Sequence, residues 1–323
     1  MERRSGRQAC VCPNEWINQP NRQRRSEKAM KKAFVLIFFI ILLCSLLLLG
    51  MFLFTGPAPT PSPSPSPTPT PSPTSTIEPN SLKASVTNAI NFFENSPQPY
   101  NSNELYALLM LDVMHRRFGI TEFADALQLY DYVIEAYSDD TPIMRVFRRI
   151  ADFDNELYPG DLQSVTSDYD RLTVPALYCD RFGLPEDYPA QLEQAANLGD
   201  YMLTHAVLSW IWIKENGCTL QLPDGFIDNL YQATAALIND DMVVDDLELE
   251  AAAFLYLAGQ GVLISNDFVN RAIMMQNLDG GWLLSSSKPG DSSWHATAVA
   301  LLLLLHVEYP ADSYPPMLAP ASS

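Results

Sequence analysis

Hydrophobic positions along this chain follow two regimes. The first is one unbroken run, AFVLIFFIILLCSLLLLGMFLF over residues 33–54, without a charged side chain. A helix rises ~1.5 Å per residue and the bilayer hydrocarbon is ~30 Å thick, so roughly 20 residues span it. The run exceeds the ~7–15 apolar residues of a secretory leader, and no small-residue cleavage site closes it. It predicts a single transmembrane helix retained on the mature chain.

The second regime begins near residue 80. Apolar residues there recur three and four positions apart, as in residues 104–119, 121–138, 192–217, 224–240, 245–261, 265–276 and 292–309. This spacing is that of helices packed on one face. Asp, Ser or Thr opens several of these segments and Gly closes several, as helix boundaries require. Alternating runs of β-branched residues are nearly absent. The fold class expected is all-α, about ten helices over residues 80–310. Residues 193–216, 245–259 and 293–307 are apolar almost all round and predict inner helices. Residues 121–137, 225–239 and 266–276 are amphipathic and predict an outer layer. Alternation of the two kinds suggests stacked helical hairpins. Curved into a ring they make an α/α toroid, with the N-terminal ends of the inner helices around one cavity. A layered bundle fits the same periodicity.

Between the regimes the pattern vanishes. Residues 57–76 read PAPTPSPSPSPTPTPSPTST, with Pro at every second position from Pro57 to Pro73. Such a segment forms neither helix nor ladder. It extends at ~3.1 Å per residue as a polyproline stalk, and its Ser and Thr suit O-glycosylation. The expected organisation is a basic cytoplasmic tail (1–32), the transmembrane helix (33–54), a disordered Pro/Ser/Thr-rich linker (55–79), an extracytoplasmic helical domain (80–310) and a flexible tail (311–323).

Charge sets the orientation. Nine basic residues precede the apolar run (Arg3, Arg4, Arg7, Arg22, Arg24, Arg25, Lys28, Lys31, Lys32) against three acids (Glu2, Glu15, Glu27). Basic flanks stay cytoplasmic, so the chain reads as a single-pass cell-membrane protein with its N-terminus inside. Beyond the run lie 35 acids and 11 bases, a net charge of −24. That field repels phosphate backbones and excludes nucleic acid as a partner of the exterior part. Of five cysteines, only Cys179 and Cys218 are exterior. They can form one disulfide or remain two buried thiols.

Two resemblances emerge from motifs. QNLDGGW (276–282) followed by SSWHATAVALLLL (292–304) resembles the repeat of terpenoid cyclases and protein prenyltransferases. In that repeat a Gln, an Asp-Gly-Gly turn and a Trp close one hairpin of an α/α toroid; the Gly pair permits the sharp turn, and Trp and Gln are expected to lock it against the next helix. No second such motif occurs and the Asp-x-Asp-Asp motif of the cyclases is missing, so this likeness implies fold and not cyclase activity. YMLTHAVLSWIWIKENGC (201–218), DLELEAAAFLYLAGQG with NDFVNRAI (246–273) and SSWHATAVALLLLLHVEYP (292–310) resemble, in order and spacing, segments of a family of secreted vertebrate proteins of unknown function. That resemblance implies no activity. It implies that His205, Asp246, Glu250, His295 and Thr297 recur.

The same residues are odd on physical grounds. His205 and His295 sit on helices otherwise apolar, and Asp246 and Glu250, four apart, share a face of another. Unpaired buried polar groups cost on the order of 1–3 kcal/mol, so these should meet partners. In a ring of hairpins, His205, Glu250 and His295 converge on the cavity. They are the ligand types of a zinc site with an open position, or of an acid/base pair. Asp246, Thr297 and Trp282 are expected among the binding residues, and no cofactor other than zinc is called for. The plain alternative is two satisfied core histidines, with Asp246 capping its helix.

Other candidates carry less. DDMVVDDLELE (240–250) suits a helix start, where acids meet the positive end of the dipole. DFDNELYPGD (152–161) alternates acids like a calcium loop but has Leu157 where the turn needs Gly. His115 and His306 lie near helix C-termini, where partial positive charge is welcome. Two functions remain. One is an exterior binding or interaction module with an unidentified ligand or protein partner. The other is a metal-dependent or acid/base enzyme acting on an exterior glycan or isoprenoid-linked molecule.

Overall fold

The structure, a computed structural model, describes residues 76–96, 102–136, 142–158, 160–239, 241–283 and 292–320. All of them fall in one compact unit, residues 72–323. The basic tail, the apolar run 33–54 and most of the Pro-rich linker lie outside the described residues. Among the described residues no helix is long and apolar enough to cross a membrane.

These residues are helical and contain no strand. They form α1 (Pro79–Asn95), α2 (Ser102–Phe118), α3 (Ala126–Ala136), α4 (Pro142–Phe147), α5 (Asp168–Leu177), α6 (Cys179–Phe182), α7 (Tyr188–Leu198), α8 (Asp200–Glu215), α9 (Phe226–Ala235), α10 (Asp246–Leu257), α11 (Asn266–Met274) and α12 (Trp294–Glu308). α12 packs against α1, α2 and α10, while α8 packs against α5, α7, α9 and α10. These contacts follow from composition. α12 buries every residue from Ala296 to His306, and α10 buries Leu249 to Leu255 without a break. A helix apolar on every side needs neighbours on every side.

Three boundaries differ from the sequence reading. Residues 192–217 are not one helix but α7 and α8, divided at Gly199 (φ 73) and Asp200 (φ 48). Two successive residues at positive φ end one helix and redirect the next; Asp tolerates positive φ better than most side chains. α1 was not anticipated. Pro79 sits at its first turn, where a missing N–H costs nothing, so the helix starts where the Pro-rich linker stops. Residues 311–320 are not a loose end. Met317, Leu318 and Ala319 are buried. The Met317 and Leu318 N–H groups donate to the Glu215 carboxylate at 2.8 and 2.9 Å, and Arg116 donates to the Met317 carbonyl at 2.8 Å.

The Asp-Gly-Gly turn is built as its residues suggest, with one correction. A Cβ on Gly280 would lie 2.2 Å from the Asn88 carbonyl oxygen, and one on Gly281 would lie 2.4 Å from Ser292 Cβ. Only glycine fits either place. Gln276 does not lock the turn against the following helix. Its amide donates at 2.8 Å to Ser85 of α1 and to the Gly280 carbonyl, tying the last hairpin to the first helix. Cys179, opening α6, and Cys218, following α8, form a disulfide with Cα–Cα 6.2 Å.

Candidate functional site

A cavity of about 640 Å³ opens among α2, α4, α5, α8, α10 and α12. Its two ends differ. The first two turns of α5, α8, α10 and α12 supply Tyr169, Asp170, Tyr201, His205, Asp246, Glu250 and His295. One or more turns deeper, Leu208, Trp212, Phe254 and Val299 supply apolar walls, and Met317 of the C-terminal segment closes in beside them. The Trp212 indole N–H points at the Met317 sulfur, 3.3 Å away.

The acids before α10 divide into two jobs. Asp245, not Asp246, is the N-cap. Its carboxylate accepts from the Glu248 N–H at 3.0 Å, and Glu248 accepts in return from the Asp245 N–H at 3.1 Å. This reciprocal cap satisfies the free N–H groups of the helix start. It leaves Asp246 and Glu250, one turn apart, facing the cavity with side chains only 2% exposed.

His295 stands between them. Ser293 caps α12, its hydroxyl accepting from the His295 N–H at 3.1 Å, and so sets the imidazole at the cavity edge. Nδ1 lies 2.9 Å from Asp246 Oδ1 and Nε2 lies 3.4 Å from Glu250 Oε2. Burial alone would push this imidazole down. The hydrogen bond and charge of Asp246, joined by the charge of Glu250, outweigh it and raise the group to about 9. His295 is therefore an imidazolium at neutral pH. The other oxygen of Asp246 accepts from the Tyr201 hydroxyl at 2.9 Å. Burial, then the charge of Asp246, pushes that phenol well up, so it remains a donor.

His205 is the second imidazole. Its Nδ1 meets the Tyr201 carbonyl at 2.7 Å and lies 3.5 Å from Glu250 Oε1, which also accepts from the Thr204 hydroxyl. The Tyr169 ring packs beside it, centroids 4.9 Å apart. Asp170 faces the same space. Burial raises its carboxyl, against a Ser167 hydrogen bond and the charge of His205.

Sequence reasoning thus names four residues that the fold brings together: His205, Asp246, Glu250 and His295. The ligand set differs from the one expected. Ligand atoms within 4.8 Å of one another belong to Asp246, Glu250 and His295, with His205 beside Glu250 and outside that set. Thr297 and Trp282, expected to bind, line no part of the cavity. The Thr297 hydroxyl accepts from the Trp282 N–H at 3.0 Å, and the Trp282 indole donates to the Ala272 carbonyl at 2.8 Å, so both secure the Asp-Gly-Gly turn. Tyr201, Asp170 and Tyr169 were missed. Tyr201, one helical turn before His205, is the only one with a signal in the sequence. His306 holds no positive charge despite its place at a helix C-terminus. Burial pushes its imidazole down to about 4. Two acids of residues 152–161 serve structure: Asp152 pairs with Arg148, and Asp161 with Arg145 at 2.8 Å.

No family model, curated protein or solved structure matches this chain.

Proposed function

We propose that the helical domain is a small-molecule-binding domain of the α/α toroid type. Its ligand lies in the central cavity, and the row Asp246–His295–Glu250 meets the ligand's polar end. One observation carries this reading: a row of two buried carboxylates and a half-buried imidazole borders a void of about 640 Å³ whose deeper walls are apolar. Small-molecule sites combine a concave apolar body of ~300–1,000 Å³ with a few convergent polar groups. Inner helices contributing their first turns to one space support the toroid reading, as does the Gln276 tie from the last hairpin to α1. The apolar run 33–54 and its basic flank support a cell-membrane anchor, with the linker holding the domain on the outer side.

A short neutral amphiphile tests the pocket. The full chain in lipid nanodiscs, titrated calorimetrically with octan-1-ol against an empty-nanodisc blank, is expected to bind one equivalent. Val299→Trp, which fills the void, is expected to abolish the signal. Non-saturable heat, equal in both proteins, counts against the pocket.

A second reading has its own observation. Asp246, Glu250 and His295 present ligand atoms within 4.8 Å, as a divalent-metal enzyme requires. In that case Asp246 orients His295 through Nδ1, and Nε2 with Glu250 would hold the ion. Metal content of the full chain, wild type and His295→Ala, decides it: one equivalent of zinc lost in the variant favours the enzyme.

A further inference from the structure

The buried carboxylates of this domain are handled in two ways. Away from the cavity, Asp112 pairs with Arg116 and Asp161 with Arg145, while Glu248 is consumed in capping. At the cavity, the buried Asp246 and Glu250 and the half-buried Asp170 line one space, and among the described residues lining it there is no lysine or arginine. Three carboxylates and two imidazoles, His205 and His295, therefore make up its ionisable lining apart from tyrosines.

A carboxylate-rich end without lysine or arginine, beside an apolar body, selects ligands. Phosphates, diphosphates and carboxylates are repelled, and an isoprenyl diphosphate is a poor fit for that reason. A sugar would place its hydroxyls against Leu208, Phe254 and Val299, which offer no hydrogen bonds. An ammonium is suited at the polar end, because carboxylates and tyrosine faces both attract it. Tyr169 is 41% exposed at that end, so the polar groups lie where a ligand head meets solvent.

Building on the pocket reading above, we propose that the cavity takes an amphiphilic cation, with an apolar chain toward Trp212 and a single ammonium among Asp170, Glu250 and the tyrosines. The ammonium then plays the part that Arg116 and Arg145 play elsewhere.

Three probes of equal chain length decide it. Octylamine, octan-1-ol and octanoate are titrated into the full chain in nanodiscs at pH 7, each against empty nanodiscs. Octylamine is expected to bind at least tenfold more tightly than octan-1-ol, and octanoate not at all. Asp170→Asn is expected to weaken octylamine severalfold more than octan-1-ol, a split that general misfolding would not produce. Equal binding of amine and alcohol, or preference for octanoate, overturns the cationic assignment while leaving the pocket standing. Saturable binding by none of the three overturns the pocket as well.

Discussion

The two ends of α12 carry one histidine each, and the fold treats them oppositely. His295 in the first turn touches two buried carboxylates and is raised to about 9, its carboxylate partners outweighing burial. His306 in the last turn is enclosed by the rings of Phe118, Tyr314 and Tyr256, with centroids at 4.9, 4.9 and 5.6 Å. Its Nδ1 meets the Leu302 carbonyl at 2.8 Å, while Nε2 has no hydrogen-bond partner among the described residues. Burial, with the charge of Arg117 adding to it, pushes it down to about 4. The helix dipole favours the reverse: a cation at the C-terminal end and none at the N-terminal end. A dipole effect of ~0.3–1 kcal/mol loses to direct charge pairing at one end and to desolvation at the other. Partners, not position along the helix, decide a histidine's charge here.

Removing Asp246 should break this contrast most severely. Asp246→Ala leaves the His295 imidazolium and the Tyr201 hydroxyl without their shared acceptor. Breaking a buried pair from one side costs ~3–5 kcal/mol, to be read from denaturant unfolding at pH 7. The His295 titration, followed by NMR, should move down toward the ordinary value. An unmoved His295 resonance would mean that Asp246 does not hold its proton.

The pH dependence of stability should show both ends at once. His295 has a folded value above its ordinary 6.5, so its contribution is full below about 6.5 and is lost as pH rises through about 9. His306 has a folded value below 6.5, so its neutral form is secure above that pH, and stability falls as pH drops through about 4. Each limb is worth up to about 3 kcal/mol at ~1.36 kcal/mol per unit. His295→Gln should flatten the alkaline limb alone and His306→Phe the acid limb alone, in urea unfolding from pH 4 to 9. Both variants flattening the same limb would show the assignments to be reversed.

Smaller changes sharpen the comparison. Tyr314→Ala removes the ring that packs on Phe118 and His306 and that Arg117 covers at 4.7 Å from its centroid. A loss of about 1.5 kcal/mol is expected, with the His306 titration shifting up as water enters. Asp245→Ala should cost about 1 kcal/mol, as loss of an N-cap does, and leave His295 where it is. Neighbouring aspartates would then be separable: one serves its helix, the other a histidine forty-nine residues away.

Much of the candidate site was legible because it was anomalous. A His on an apolar helix, or two acids on a helix of Ala and Leu, is costly without a partner, and that cost is visible before any fold is known. The partners themselves were not. The plain sequence reading has Asp246 as the cap, whereas the packed structure gives the cap to Asp245 and turns Asp246 toward His295. Tyr169 and Asp170 lie in a region with weak periodicity, and they matter only because α5 delivers them to the same space as His205. Thr297 and Trp282 were legible as important but misread as ligand contacts, since a residue that secures a turn and one that meets a ligand look alike in one dimension. Gly199 was passed over because apolar spacing runs straight through it.

Local chemistry, then, fixes what is local. Periodicity determined that residues beyond 80 are helical, which helices are apolar all round, where glycine must turn the chain, and which polar side chains needed company. Tertiary structure decided the company: Asp246 with His295, Gln276 with α1, Glu215 with the C-terminal segment, Cys179 with Cys218. The physical reason is range. Spacing and capping act over one or two helical turns and are written in the order of residues, whereas charge pairing and burial depend on distances that exist only after the helices have packed.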